Sequence, residues 1–313
     1  MPQKFYKYHG AGNDFFLADN RAGKLSLSQE QIRRLCDRHI GFGADGVMLL
    51  EDSPDAAFRM VFYNPDGSGG MMCGNGGRCI VAFAADLGLV KSGEPITFDA
   101  PDGRHQAEIL SVTERLSPSF KRLPPVAEPV EATAGKPLSQ SPQHDLWSER
   151  TVRLKMRDVS GIRTFPDEHA CFLDTGTRHL VKFVNCLKDY PVLSEGRTLR
   201  GDPRFAPAGT NVNFVEPVPE GDDVVLHIRT FEKGVEDETL ACGTGIVASA
   251  IAAYSQGIAG RVDAHGSVTC LVKAAIATLA VDFVPHCEGE TLQIRDICLT
   301  GPSDFVGTVE IML

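Results

Sequence analysis

The sequence predicts an α/β (α+β) fold of two homologous domains, each with a mixed sheet wrapped around a central helix. Three observations carry this. The chain repeats itself in order: "GNDFFL" from Gly12, "GFGADGVMLLE" from Gly41, "RMVFYNPDG" from Arg59 and "CGNGG" from Cys73 are echoed by "GTRHLV" from Gly176, "APAGTNVNFVE" from Ala206, "LHIRTFEKG" from Leu226 and "CGTGI" from Cys242, 164 to 169 residues further on. That interval is far longer than a solenoid period, so it implies two copies of one domain. Each copy also has the same order: strand-like runs, a Cys-Gly motif, a helix, then more strands. Finally, the helix after Cys242 has no charged residue across 243–257. A helix apolar on nearly all sides must be buried on nearly all sides, and an enclosing sheet does that.

The elements follow in order. In the first copy, residues 15–18, 47–50, 58–63, 97–100 and 105–110 read as strands, and residues 29–39 as a helix. Asn64-Pro65-Asp66-Gly67 is a turn, because proline presets its φ and glycine tolerates a positive one. The helix after Cys73 places Ile80, Phe83, Ala84 and Leu87 on one face and stops at Gly88. Residues 116–150 differ in composition, with six prolines among Ser, Gln, Glu and Ala, and read as an insertion or linker. In the second copy, residues 151–156, 170–174, 180–184, 212–215, 224–231, 267–270 and 277–283 read as strands. The division is 1–116, an insertion at 117–150, a second domain at 151–300, and a terminal segment at 301–313.

Composition excludes several classes. Of 313 residues, 42% are hydrophobic and 23% charged, values of a globular chain. The formal net charge of −10, with no concentrated basic tract, argues against nucleic acid or an anionic membrane as partner. The longest nearly uncharged apolar run, 246–254, falls far short of the ~20 residues that span a bilayer. Nine cysteines, an odd number without a C-x-x-C pair, fit neither a dense disulfide framework nor a zinc finger. A reducing, cytoplasmic compartment is the simplest reading.

The chemistry concentrates in Cys73-Gly74-Asn75-Gly76 and Cys242-Gly243-Thr244-Gly245. Each sets a thiol just before a helix, where free N–H groups and a partial positive charge favour the thiolate. The glycines let those N–H groups approach a carboxylate. Two opposed thiols suit inversion of a carbon stereocentre, one removing a proton while the other delivers one to the opposite face. The other seven cysteines read as buried or incidental thiols. Gly41-Phe42-Gly43-Ala44-Asp45-Gly46 matches G-x-G-x-x-G, but it follows a helix and precedes a strand, the reverse of a dinucleotide turn. His9, His39 and His105 lack metal-ligand spacing and read as structural or exposed. No metal, nicotinamide, flavin or pyridoxal phosphate is required.

The motifs "HGAGNDF" at His9, "NPDGSGGMMCGNGGRC" at Asn64, "GTNVNFV" at Gly209 and "FEKGVEDETLACGTG" at Phe231 closely resemble the diaminopimelate epimerase family. The resemblance runs from Lys7 to about Ile311, apart from the insertion. It implies barrel-like sheets in two pseudo-two-fold-related domains, a site between them, and a last strand that returns to the first domain. It implies interconversion of LL- and meso-diaminopimelate, a cofactor-independent step in lysine and peptidoglycan synthesis, by a homodimer. Cys73 and Cys242 match the catalytic pair, and His179 and Glu232 match residues that support them. Asn13, Asn64, Gly74, Asn75, Asn211, Glu232, Gly243 and Thr244 match substrate contacts. Three positions depart from the pattern. Thr177-Arg178-His179 stands where Asn-Pro-His is common, Glu232-Lys233 where Glu-Arg is common, and Gly46 where some members have Gln. Lys233 keeps the charge of that substrate-binding position but not the bidentate fork.

Two other readings use the same thiols. A proline racemase-like enzyme also pairs cysteines, though a small cyclic substrate needs no distal set such as Asn64, Asn211 and Glu232. A thiol redox protein would cycle a Cys73–Cys242 disulfide.

Overall fold

The computed structural model describes residues 2–116, 146–289 and 291–312. The first half contains β1 (Gln3–Gly10), β2 (Asn13–Asp19), α1 (Gln29–Cys36), β3 (Val47–Glu51), β4 (Arg59–Tyr63), α2 (Gly74–Asp86), β5 (Ile96–Ala100), β6 (Gly103–Leu116) and β7 (Leu146–Lys155). Then follow β8 (Val159–Ser160), β9 (Arg163–Phe165), β10 (Ala170–Asp174), β11 (Arg178–Phe183), α3 (Val192–Arg200), β12 (Asn211–Glu220), β13 (Asp223–Glu232) and β14 (Asp237–Thr239). The chain continues with α4 (Gly243–Ser255), β15 (Arg261–Val262), β16 (Val268–Lys273), β17 (Thr278–Glu288) and β18 (Thr291–Ile311).

Strand pairing closes a ring of eight around α2. Its order is β1-β2-β3-β4-β5-β6-β7-β18, and β18 returns to β1 through partners such as Phe5 with Val309. A second run of strands, β9-β10-β11-β12-β13-β16-β17-β18, curls around α4, and β8 pairs with β18 at its end. Corresponding steps match: β2–β3 and β11–β12 are parallel, as are β4–β5 and β13–β16. Strand β18 belongs to both. Up to Thr300 it pairs with β17, and from Gly301 with β7 and then β1.

The period-2 alternation of each strand explains the layering. In β3, Met48 and Leu50 face the core that holds α2, while Val47 and Leu49 face an outer cluster with Ile32 and Leu35 of α1. In β12, Val215 faces the α4 core and Val212 and Phe214 the outer cluster beside α3. A strand covered on both faces reads as a continuous apolar run, as in "VMLL". The α2 and α4 cores merge into one cluster, with Leu299 and Met156 between them.

The structure departs from the sequence reading at several elements. Residues 146–150, assigned to the insertion, form the start of β7 and pair with β6; residues 117–145 lie outside the described residues. Strand β1 and helix α3 were not expected, and α1 ends at Cys36 rather than 39. Among the seven remaining cysteines, Cys36, Cys79, Cys171 and Cys270 are buried, Cys298 is half-buried, and Cys186 and Cys287 are exposed. No helix among the described residues is long and apolar enough to cross a membrane.

Ending the chain at Thr300 removes the strand that closes the first ring and leaves open edges on β1 and β7. The expected outcome is aggregation and loss of a cooperative thermal transition. A monodisperse truncated protein with an unchanged melting temperature would contradict the closed ring.

Candidate active site

Cys73 and Cys242 are the N-caps of α2 and α4, with similar extended backbones (φ −115°, ψ 153° and φ −114°, ψ 109°). Cys73 behaves as a capping serine does: its Sγ accepts the N–H of Gly76 at 3.2 Å. Cys242 Sγ lies 3.5 Å from Oγ1 of Thr244.

The two helices meet end to end. A Cβ on Gly243 would stand 3.1 Å from Cα of Gly74, and one on Gly74 would stand 3.0 Å from Cδ2 of Leu299. Glycine is what permits this approach. The first-turn N–H groups of Gly74, Asn75, Gly243 and Thr244 are of the kind an α-helix cannot pair internally. Each N-terminus carries roughly +0.5 of a charge, so the junction repels itself until an anion lies between the ends.

Side chains stitch the junction together. Asn75 Nδ2 donates to Asn13 Oδ1 at 3.1 Å and to the carbonyl of Ala241 at 3.0 Å, next to Cys242. Asn13 donates to Asp45 at 2.6 Å, and Arg38 holds the other oxygen of Asp45 at 2.7 Å. Gly12, with φ +91°, lets the β1–β2 turn reach the second barrel, where a Cβ would stand 2.9 Å from Cδ1 of Leu240.

His179 is fully buried and holds Cys242 through a relay. Thr230 donates to Asn213 Oδ1 at 3.0 Å, which orients the Asn213 amide to donate to Nδ1 of His179 at 3.1 Å. The proton of the neutral ring is therefore on Nε2, which faces Thr177 Oγ1 at 2.9 Å and Thr244 Oγ1 at 3.0 Å. Thr244 keeps its own hydroxyl hydrogen to give, and Cys242 Sγ is within reach. Burial pushes the His179 pKa down to about 3, so the ring orients this relay and does not act as a cation.

Burial also pushes both thiols up, and the carboxylate of Glu232 adds to this at each. Glu232 accepts from Thr239 at 2.8 Å, and its own pKa is raised by burial and by Asp45 across the cleft. The helix-end amides and Thr244 work the other way, toward the thiolate. An anionic substrate group between the helices would not itself ionise a thiol. The close pairing instead makes one thiolate with one thiol easier than two thiolates.

Most residues singled out in the sequence converge here: Cys73, Gly74, Asn75 and Asn13 from one barrel, and Cys242, Gly243, Thr244, His179 and Glu232 from the other. Asn211 is buried as a strut, accepting from the Lys233 N–H at 2.9 Å and donating to the carbonyl of Arg178 at 3.1 Å. Lys233 is exposed, with Nζ 3.2 Å from the carbonyl of Ala208. Asn64 stands apart, its amide donating to Ser68 and Gly69 within its own turn. At Gly46 a Cβ would stand 2.6 Å from the Phe62 ring, so a glutamine there would need Phe62 to move. Asp45, Arg78, Asn213 and Thr239 were not singled out as site residues. The one charge in the otherwise apolar "GGRCIVAFAA" was the available signal for Arg78. Among the described residues no cluster of three metal-ligating side chains occurs.

Fold and site define a class: enzymes built from two like barrels, each around a helix capped by a cysteine. The same fold occurs in a PhzF-family phenazine biosynthesis protein of Bacillus anthracis (TM-score 0.68, 14% identity, all of both chains covered). It occurs also in a probable proline racemase of Agrobacterium radiobacter (TM-score 0.58, 16% identity, 99% and 93% covered). The diaminopimelate epimerase family model matches residues 5–119 and 171–286. The diaminopimelate epimerase of Chlorobaculum tepidum is 41% identical over 252 residues, covering 79% of this chain and 82% of that protein. That of Flavobacterium psychrophilum is 36% identical over 307 residues, covering 97% and 98%. The chain belongs to the diaminopimelate epimerase family, isomerases that act on a small amino-acid substrate.

The burial of neutral His179 predicts an acid sensitivity. Its folded pKa lies below the unfolded value of about 6.5, so its contribution is complete above that pH and is lost as pH falls toward 3. Within this window the loss approaches about 1.4 kcal/mol per pH unit. Urea unfolding of the wild type and His179→Asn across pH 3–7 should show the slope reduced in the variant. Equal slopes would mean that His179 is not buried neutral.

Proposed function

We propose that this chain interconverts LL- and meso-2,6-diaminopimelate by a cofactor-independent, two-base thiol mechanism. Family membership supports the reaction. The single observation that carries the mechanism is the meeting of two cysteine-capped helix ends at Gly74 and Gly243. The substrate's reacting carboxylate lies between the ends, held by the N–H groups of Gly74, Asn75, Gly243 and Thr244. One cysteine, as thiolate, takes the α-proton and becomes a thiol. The carbanion-like charge spreads onto the carboxylate, where both helix ends stabilise it. The opposite thiol gives its proton to the other face and becomes the thiolate, so the products are the inverted stereocentre and an exchanged pair of thiol states. In the reverse direction the roles swap.

Thr244, oriented by His179, supports Cys242, and Glu232 sits where it affects both thiols. Asn13 braces the cradle through Asn75. Asn64, Asn211, Glu232 and Lys233 read the distal amino acid end, with Lys233 supplying a point charge for its carboxylate. Engagement of Asn64 requires its amide to leave the turn with Ser68. The enzyme serves lysine and peptidoglycan precursor synthesis, works in the reducing cytoplasm, and assembles as a homodimer. The nine free cysteines accord with that compartment.

The test is epimerisation in deuterium oxide with reductant present. Solvent deuterium should enter the α-position of diaminopimelate and not of proline. Cys73→Ala and Cys242→Ala should each lower epimerisation by at least about 1,000-fold. Full activity of either variant would sink the two-base assignment, and turnover of proline alone would sink the substrate.

A further inference from the structure

The two half-sites are built on one pattern, yet one position sets them apart. Arg78 lies five residues after Cys73, and the corresponding residue after Cys242 is Val247. Both are 0% exposed. Where the second barrel buries an isopropyl group, the first buries a guanidinium.

Each nitrogen of that guanidinium donates to a neutral group. It donates to the carbonyl of Gly74 at 3.1 Å, to Asn75 Oδ1 at 3.0 Å and to the carbonyl of Pro302 at 3.3 Å. Among the described residues no carboxylate pairs with it. The packing around it is close: a Cβ on Gly10 would stand 3.2 Å from Nη2, and one on Gly301 would stand 3.5 Å from Nε. An arginine does not deprotonate in a protein, so a whole positive charge stays behind the first turn of α2. Burying it without a counter-ion costs several kcal/mol. The three hydrogen bonds offset part of this, and an anion at the helix end would offset more.

We propose that Arg78 is the positioning residue that breaks the symmetry of the site: it fixes the Asn75 amide that joins the barrels, and its charge makes Cys73, rather than Cys242, the thiol that ionises first. The hydrogen bonds support the first part. With Oδ1 of Asn75 held by Arg78, both amide hydrogens are turned to Asn13 and to the carbonyl of Ala241. The surroundings of each thiol support the second. Glu232 of β13 opposes ionisation of both cysteines, and each thiol opposes a negative partner. Arg78 donates to the carbonyl of Gly74, the residue after Cys73, and favours the thiolate there, offsetting part of the opposition from Glu232; at the matching position after Cys242 stands the uncharged Val247. Cys79, the next residue of α2, also feels Arg78, together with Asp304 of β18; its burial holds it up to about 12, so it stays a thiol. His179 is neutral and bears on Cys242 only through Thr244.

This inference rests on the two-thiol reading of the site and is tested without turnover. Iodoacetamide alkylation of the substrate-free, reduced enzyme is followed across pH by the masses of the two cysteine peptides. In the wild type the midpoint for Cys73 should fall about one pH unit or more below that for Cys242. Arg78→Gln should raise the Cys73 midpoint by about one unit and move that of Cys242 less. Earlier ionisation of Cys242 in the wild type would overturn the inference, whether or not any variant folds. So would an unchanged Cys73 midpoint in folded Arg78→Gln. If the alkylation order holds and diaminopimelate is not epimerised, the substrate reading alone fails.

Discussion

Two helices pointing their N-termini at each other is an arrangement that isolated helices would avoid. The partial charges repel, and the first-turn amides lack acceptors. Here the approach is as close as Gly74 and Gly243 permit, and the rest of the fold serves to hold it. Each helix is enclosed by its own strands, so neither can withdraw without opening a core. The two sets are locked by β18, which closes the first after completing its run in the second. Burial of apolar side chains at about 25 cal/mol per Å² supplies the free energy for an unfavourable junction. The unfavourable junction is the part that binds an anion.

Polar side chains next to the junction are held by fixed protein partners. Thr230, Asn213, His179 and Thr244 form a chain in which the Asn213 amide donates to Nδ1 of His179, which leaves the histidine a single tautomer. Asn75 likewise donates to Asn13 and to the carbonyl of Ala241. Such networks are costly if half-made and rigid if complete. Rigidity matters here because proton transfer on opposite faces of one carbon tolerates little error in the spacing of the two thiols.

Much of this was legible in the sequence for physical reasons. An uncharged helix such as 243–257 has one solution, full burial, and a cysteine before two glycines at its start marks the helix end. Other features were hidden because they depend on distant partners. In β18 the Gly301-Pro302 pair reads as a break, yet the strand runs through it and changes barrels there. The lysines of "KFYKYHG" mask β1, whose Phe5 and Tyr8 are buried on opposite faces. In α3, Gly196 weakens the helical pattern, but a Cβ there would stand 2.5 Å from Cβ of Phe231. Asn64 shows the limit of motif matching, since a motif names a residue and not the direction of its side chain. A lone arginine in an apolar helix marks a position without giving its direction, and only the fold shows Arg78 turned inward.

The central claim is that Cys73 and Cys242 face one another across a single anion site, and thiol cross-linking tests it most directly. Mild oxidation with diamide, followed by peptide mass mapping, should yield one disulfide, Cys73–Cys242. It should slow when diaminopimelate is present, and activity should return with dithiothreitol. A chain in which both cysteines stay free to alkylation, or in which either links to one of the other seven, would contradict the account.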